Sequence, residues 1–182
     1  MVAGLAEIKQ HGITGMRVSV IAKSARCPLS SMYRAFGSRD GLLAELLHAI
    51  YEESFEEQFN QVRLRLGGTG PLSIEDIVES IPLPHSENSS KFYAMRSQVL
   101  AVAGSNPILR AKMSESLRQR RRLLAAIVED VTKRLPQGVI LDGELVTVFV
   151  FNLNWQYNDF LGDLEVSNDQ YKALLRRVLV KK

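Results

Sequence analysis

Residues 18 to 36 read Val18-Ser19-Val20-Ile21-Ala22-Lys23-Ser24-Ala25-Arg26-Cys27-Pro28-Leu29-Ser30-Ser31-Met32-Tyr33-Arg34-Ala35-Phe36, and this stretch decides the fold. Val18, Ile21, Ala22 and Ala25 recur at three- and four-residue spacing, which puts small and branched apolar groups on one face of a short helix. Arg26-Cys27-Pro28 breaks that helix. A second apolar set, Leu29, Met32, Tyr33 and Phe36, follows at the same period, while Ser30, Ser31 and Arg34 point elsewhere. Two short helices joined by a tight turn, the second with a polar, hydroxyl-bearing free face, is the physical description of a helix-turn-helix. The same spacing describes a helical hairpin in any all-α core, so periodicity alone leaves both readings open.

The chain has 182 residues, enough for one large domain or two small ones, and its 46% apolar content can fill a core. No run approaches the roughly 18 apolar residues of a bilayer span, and no basic region followed by an apolar segment opens the chain. A globular, cytoplasmic protein without a membrane partner is therefore expected. Cys27 is the single cysteine; it cannot close an internal disulfide, suits a reducing compartment and reads as a small packing residue. The formal net charge of +3 sits on residues 1–45, where Lys9, Arg17, Lys23, Arg26, Arg34 and Arg39 face only Glu7, Asp40 and Glu45. The rest of the chain is balanced, as expected if this segment alone meets a polyanion. No Ser/His/Asp, Cys/His or carboxylate pair stands at a meaningful spacing and the histidines are scattered, so no enzyme, metal or cofactor is expected.

Before the opening stretch, Leu5, Ile8 and Val2 supply the apolar face of a first helix, and Gly12 supplies its stop. His11 lies in the last turn, where the helix dipole favours a cation, and reads as a capping or surface residue. Thr14 and Gly15 turn the chain into the helix at 17–25, so three short helices are complete by residue 36.

Taken together, Gly12-Ile13 with Val18, Ile21-Ala22, Ser31-Met32-Tyr33, Phe36 and Gly37-Ser38-Arg39-Asp40-Gly41-Leu42-Leu43 resemble the DNA-binding segment of TetR-family transcriptional regulators. The likeness covers roughly the first 47 residues, and Tyr33-x-x-Phe36 followed by Ser38-Arg39-Asp40 is its most specific part. Two positions depart from the family pattern. Arg26 stands where glycine is usual, and a non-glycine residue at positive φ costs about 1 kcal/mol or more; the turn is either strained or shaped differently. Pro28 stands at the usual serine N-cap, forfeiting a hydroxyl worth roughly 1 kcal/mol, partly offset by proline's preset φ. Leu29 and Ser30 replace positions that often carry Lys and Gly. Measured against the family, the chain opens inside the first helix, whose start is expected to be missing.

The resemblance implies that Ser31, Tyr33 and Arg39 hold backbone phosphates, and a hydroxyl, a phenol and a guanidinium are suitable donors. On the free face, Arg34 and Ser30 are the expected base readers, Arg34 being able to grip a guanine edge with two hydrogen bonds, while Leu29 can touch a thymine methyl. Arg17 and Lys23 add charge near the phosphates. Ser38 is expected to cap a fourth helix whose first amides could face a phosphate.

From Asp40 a single long helix is expected, with Leu43, Leu46, Leu47, Ile50, Tyr51, Ser54, Phe55 and Phe59 forming its apolar stripe and Glu52, Glu53, Glu56 and Glu57 a solvated side. Gly67-Gly68-Thr69-Gly70-Pro71 ends it; without the lysine and hydroxyl of a phosphate loop this run is a linker. A short helix over 73–81 opens with Ser73 and Asp76 close to a capping box. Pro82 to Ser90 reads as a loop in which His85 lacks a ligand partner. Phe92, Met95, Val99, Leu100 and Val102 mark the next helix, ending near Gly104. Pro107 then fits the first turn of a long helix to about Leu135, with Ile108, Leu109, Met113, Leu117, Leu124, Ile127, Val128 and Val131 inward. The run Arg118 to Arg122 reads as a solvated or interface-facing surface.

Leu145 to Phe151 could pass for a strand, but the series Phe149, Leu153, Tyr157, Leu161 favours a helix of about twenty residues, capped by Asp142 and ending at Gly162-Asp163. A terminal helix carries Tyr171, Leu174, Leu175, Val178 and Leu179. Such apolar surface points to a homodimer through helices near 143–163 and 168–180, and in the resembled family the last two helices make the dimer interface. The middle helices would enclose a small, mainly apolar effector, with Phe55, Phe59, Phe92, Met95, Met113, Asn152 and Trp155 as the expected lining.

The sequence therefore describes an all-α protein: a helix-turn-helix head at 1–45 and a larger ligand-binding and dimerisation domain at 46–182. The expected function is ligand-responsive transcriptional regulation, as a repressor that binds a palindromic double-stranded operator as a homodimer and is released by its effector. The alternative is a dimeric helical module for a protein partner, with weak or no DNA binding.

Overall fold

The computed structural model describes residues 1–81, 89–152 and 166–181. In chain order the elements are α1 (Val2–His11), α2 (Val18–Ser24), α3 (Leu29–Phe36), α4 (Arg39–Leu66), α5 (Ile74–Ser80), α6 (Ser89–Ser105), α7 (Pro107–Arg134), β1 (Ile140–Leu141), α8 (Gly143–Thr147), α9 (Asn168–Val178) and β2 (Val180–Lys181). A π-helical turn at Val148–Asn152 continues α8. Among the described residues the protein is all-α apart from one antiparallel ladder that pairs Ile140 with Lys181 and Leu141 with Val180. No helix among the described residues is long and apolar enough to cross a membrane. Two compact units are present, Met1–Glu53 with Gln98–Glu115 and Ser54–Ser97 with Ser116–Lys182. The first unit thus holds more than residues 1–45: it extends along α4 and takes in the α6–α7 corner.

In the first unit, Ile8, Met16, Val18, Ile21, Ala22 and Met32 pack with Leu42, Leu43, Leu46 and Leu47 as a buried core. Gly4 lies against Leu46, where an added Cβ would meet its methyls at 2.6 and 2.7 Å. α1 and α4 can approach this closely only because that position lacks a side chain. Gly12 ends α1 at φ 71, and its amide bonds to the Ile8 carbonyl. Glu7 is buried and accepts from the Arg17 backbone amide at 3.3 Å and Arg17 Nε at 3.4 Å, while His11 Nδ1 lies 3.2 Å from its other carboxylate oxygen. The carboxylate thereby satisfies the backbone amide of the N-cap residue at the start of α2, where the helix dipole favours an anion, although α2 has no side-chain cap.

The α2–α3 turn is the strained version. Arg26 has φ 52, the sole positive φ at a non-glycine position among the described residues. The Cys27 amide bonds to the Ala22 carbonyl at 3.0 Å and the Arg26 amide to the Lys23 carbonyl at 3.1 Å. That pair of bonds is a Schellman closure with Arg26 in its left-handed position. The turn keeps the shape that glycine would favour and carries the cost in Arg26. Pro28 begins α3 at φ −60 and ψ 144 without a side-chain cap, whereas Ser38 Oγ does cap α4, accepting from the Gly41 amide at 3.0 Å.

The α6–α7 corner is tied to the start of α4 by Asn106, which is 5% exposed. Its Oδ1 accepts from the Leu109 amide, capping α7, and its Nδ2 donates to the Asp40 carbonyl, both at 3.0 Å. Lys112 adds an ion pair to Glu45 at 3.0 Å.

In the second unit, α4 ends on the glycine run as expected. Arg134 closes that end, donating to the Leu66 carbonyl and, at 2.8 Å, to the Gly68 carbonyl, so a cation satisfies acceptors that the helix cannot. Ser73 and Asp76 form the capping box of α5. α9 opens on a second one, Ser167 with Gln170. Arg176 and Lys172 then clamp α9 to α5 through Glu75, at 3.0 Å for Nε, and Glu79 at 2.5 Å.

Several apolar residues face differently from the pattern's expectation. Val2 is 83% exposed, because the close Gly4 approach turns the opposite side of α1 inward. Leu29 and Tyr33 are 42% and 41% exposed, leaving Met32 as the buried residue of α3. Ile108 is exposed in the first turn of α7, and Leu174 is exposed on α9, whose Tyr171 and Leu175 are buried, as is Leu179 just after it. Arg118, Arg121 and Arg122 are exposed but Arg120 is buried, its guanidinium 4.2 Å above the Phe55 ring. Asp142 caps α8 as expected; the continuation past Asn152, the end at Gly162-Asp163 and the loop with His85 lie outside the described residues.

Two measurements test these local arguments. Arg26→Gly relieves roughly 1 kcal/mol of left-handed strain and returns part of it as unfolded-chain entropy. Its expected urea-unfolding free energy is therefore about 0.5 kcal/mol higher, while Arg26→Val is expected to be lower. The Arg176 guanidinium beside Glu75 holds that carboxyl below its ordinary value. Its contribution is present above the unfolded carboxyl's pKa and is lost as pH falls through the lower folded one. Unfolding followed from pH 6 to pH 3 should show a shallower loss of stability in Glu75→Gln than in the unmodified chain.

Candidate functional site

α3 presents the first set of functional side chains. Leu29, Ser30, Tyr33 and Arg34 are all exposed and occupy positions i, i+1, i+4 and i+5, a continuous strip turned away from buried Met32. Ser31 is half-buried at the edge of that strip. A proline start leaves the Leu29 and Ser30 amides without a helical partner or a side-chain cap, and both belong to the end of the helix where an anion is favoured.

The flanking donors are held by their neighbours. Ser38 Oγ accepts the Gly41 amide, which occupies a lone pair and leaves its O–H able to donate. Arg39 reaches the Met16 carbonyl at 3.5 Å and is otherwise exposed. Arg17 has Nε beside Glu7, yet its side chain is 59% exposed, so its terminal nitrogens extend outward from that anchor. Lys23 and Arg26 are exposed. The expected DNA-facing residues thus share one compact unit, in which Arg17 is anchored through Nε and Arg39 through a terminal nitrogen. Glu7 and Asn106, which hold α2 and the α4 start in place, carried no signal in the spacing; a buried carboxylate ten residues from its partner becomes visible only in the fold.

The second unit contains a cavity of about 40 Å³. Phe59, Val62 and Leu66 of α4 line it, together with Ile77, Ser80 and Ile81 at the end of α5 and Leu124, Ile127, Val128 and Val131 of α7. Leu141, Val146 and Val150 complete the described wall. Ser80 Oγ donates to the Ile77 carbonyl at 2.7 Å, so even this hydroxyl is committed to its own helix.

Of the residues expected to line such a site, Phe59 does. Phe55 is buried under Arg120 and is not among the described lining, and Met113 is buried in the first unit. Phe92 and Met95 lie on α6 and Asn152 in the π-helical turn, but their side chains, like all of Trp155, lie outside the described residues. The lining that the pattern did not single out is aliphatic. Its signal was present in the spacing of Phe59, Val62 and Leu66 and of Leu124, Ile127, Val128 and Val131, which reads equally as ordinary core. No group of three His, Cys, Asp or Glu side chains able to hold a metal occurs among the described residues.

No protein-family model and no curated protein matches the sequence. Solved structures do match in shape. A protein described as a transcriptional regulator from Saccharomonospora viridis, in complex with choline, has a TM-score of 0.59 at 19% identity, covering 100% of this chain and 95% of that one. A transcriptional regulator from Rhodococcus sp. Rha1 gives 0.54 at 16% identity, with 97% and 89% covered. A protein from Rhodococcus sp., described as a TetR-family transcriptional regulator, gives 0.55 at 20% identity, with 97% and 92% covered. With a helix-turn-helix in its first unit and a second unit whose described residues are helical apart from the two-residue ladder, the chain has the fold of TetR-family transcriptional regulators.

Proposed function

We propose that the chain is a ligand-responsive transcriptional repressor that binds a palindromic operator as a homodimer and is released when a small, mainly apolar effector enters the cavity of the second unit. The observation that carries this reading is the outward strip of α3. A helix that leaves Leu29 and Tyr33 in water beside Ser30 and Arg34 has side chains suited to base edges: a guanidinium for guanine, a hydroxyl, and an apolar group for the thymine methyl. Ser31, Tyr33, Ser38 and Arg39 are assigned to phosphates, with Arg17 adding charge.

The homodimer supplies two such helices, as a two-fold operator requires, at about 34 Å or a related spacing. Residues 143–163 and 168–180 are its proposed interface; among the described residues there, Leu174 and Val148 are large apolar groups that the protomer leaves exposed. Effector binding is assigned to the cavity because α4 and α7 line it and both helices also contribute residues to the first unit. An effector that fits the cavity in one arrangement of these helices only would shift the population of DNA-competent dimers. Choline accompanies the Saccharomonospora protein, but a quaternary cation calls for an aromatic cage or a carboxylate. The lining described here offers Phe59 and no acid, so choline is not the effector proposed. The reading places the protein in the cytoplasm, with DNA.

Selection of bound genomic fragments supplies the operator, and short duplexes then test the assignments. Arg34→Ala is expected to lower affinity by about 1–3 kcal/mol and to relax preference at one base pair; Arg39→Ala should weaken all sequences alike and reduce the salt slope by about 1. Binding that is insensitive to salt and to both substitutions would refute the DNA-reading role of α3.

A further inference from the structure

We infer that the cavity of the second unit takes the tail of an uncharged, unbranched alkyl chain; this rests on the assignment of that cavity as the effector site. The first observation is chemical. Apart from Phe59 and Ser80, every described lining side chain is Val, Leu or Ile, and the Ser80 hydroxyl already donates to the Ile77 carbonyl at 2.7 Å. A charged group set among them would lose its hydration and gain no partner, a cost of several kcal/mol or more. A methylene chain loses nothing by entering and gains the dispersion contacts of a packed interior.

The second observation is one of shape. On α4 the lining runs from Phe59 to Leu66, and on α7 from Leu124 to Val131, about 10 Å along each helix at 1.5 Å per residue. The void within is only about 40 Å³, room for about three water-sized groups. An apolar cavity that receives benzene measures about 150 Å³, so a whole ring needs more volume than this site offers, while the end of a chain fits it. Apart from Phe59 and Ser80 the described wall is aliphatic; rings recognise rings and cations, whereas branched aliphatic side chains pack against a methylene chain.

The experiment uses the whole chain and three compounds: 1-octanol as the alkyl chain, toluene as the ring and tetramethylammonium as the cation. Thermal unfolding is followed with each, in the unmodified protein and in Val62→Phe and Val128→Phe, two half-buried wall positions whose enlargement fills the void; circular dichroism checks that each variant stays helical. With 1-octanol about a hundredfold above its dissociation constant, the midpoint should rise by about 5–10 °C, and that rise should vanish in both variants. Toluene and tetramethylammonium should leave the midpoint where it was. No rise with 1-octanol in the unmodified chain overturns the alkyl assignment. If toluene or tetramethylammonium instead gives a rise that the two variants abolish, the ligand class is wrong and the cavity stands as the effector site. A 1-octanol rise that persists in both folded variants removes the site itself, and with it the effector reading.

Discussion

A helix of 28 residues that carries Leu42, Leu43, Leu46, Leu47, Tyr51, Phe55 and Phe59 cannot stand in water, and covering it organises the molecule. Each buried side chain of this size is worth about 1.5–3 kcal/mol relative to exposure, so α4 dictates what must be brought to it. In the first unit α1 is drawn in until Gly4 meets Leu46, and Asn106 fastens the α6–α7 corner to the carbonyl of Asp40. Within the second unit the later half of α4 instead helps wall a cavity, and Arg134 satisfies its last carbonyls. One helix thereby serves a head that needs rigidity and a site that needs space.

Features built from neighbours in sequence were legible in advance. The helix-turn-helix, the Ser38 cap, the Ser73–Asp76 capping box, the glycine stop after Leu66 and the Pro107 start depend on residues three or four apart. Arg26 was legible as a problem, and the structure resolves it: the Schellman hydrogen bonds dictate the turn, and the residue yields. Features made by distant partners were not legible. Glu7 with Arg17, Asn106 with Asp40, Arg134 with Leu66 and Arg176 with Glu75 are polar contacts across ten to about a hundred positions, and no period announces them. The ladder of β1 and β2 belongs to the same class, being two residues long on each side.

The candidate sites divide along the same line. The α3 strip could be read from period and residue type because exposure of a serine- and arginine-bearing face needs no partner. For the cavity, the inference from large soft residues to a ligand pocket named Phe59, which is in the described wall, and Phe55, which lies beneath buried Arg120. Apart from Phe59 and Ser80, the described lining consists of valine, leucine and isoleucine, the ordinary residues of helix interiors. A core and an apolar pocket are made of the same side chains and differ only in whether the packing is completed.

The short ladder has a kinetic side. Leu141 is a wall residue of the cavity, and its strand is held by Val180 and Lys181, with the Asp142 amide bonded to the Leu179 carbonyl at 2.8 Å. These partners are about forty residues apart, and closing so long a loop is an entropic cost that must be met before the contacts reward it. Local helices such as α2 and α3 have no such requirement. The order of events during folding then follows from topology: α2 and α3 can take shape early, whereas the Asn106 tie to Asp40 and this part of the pocket wall wait for distant segments to arrive.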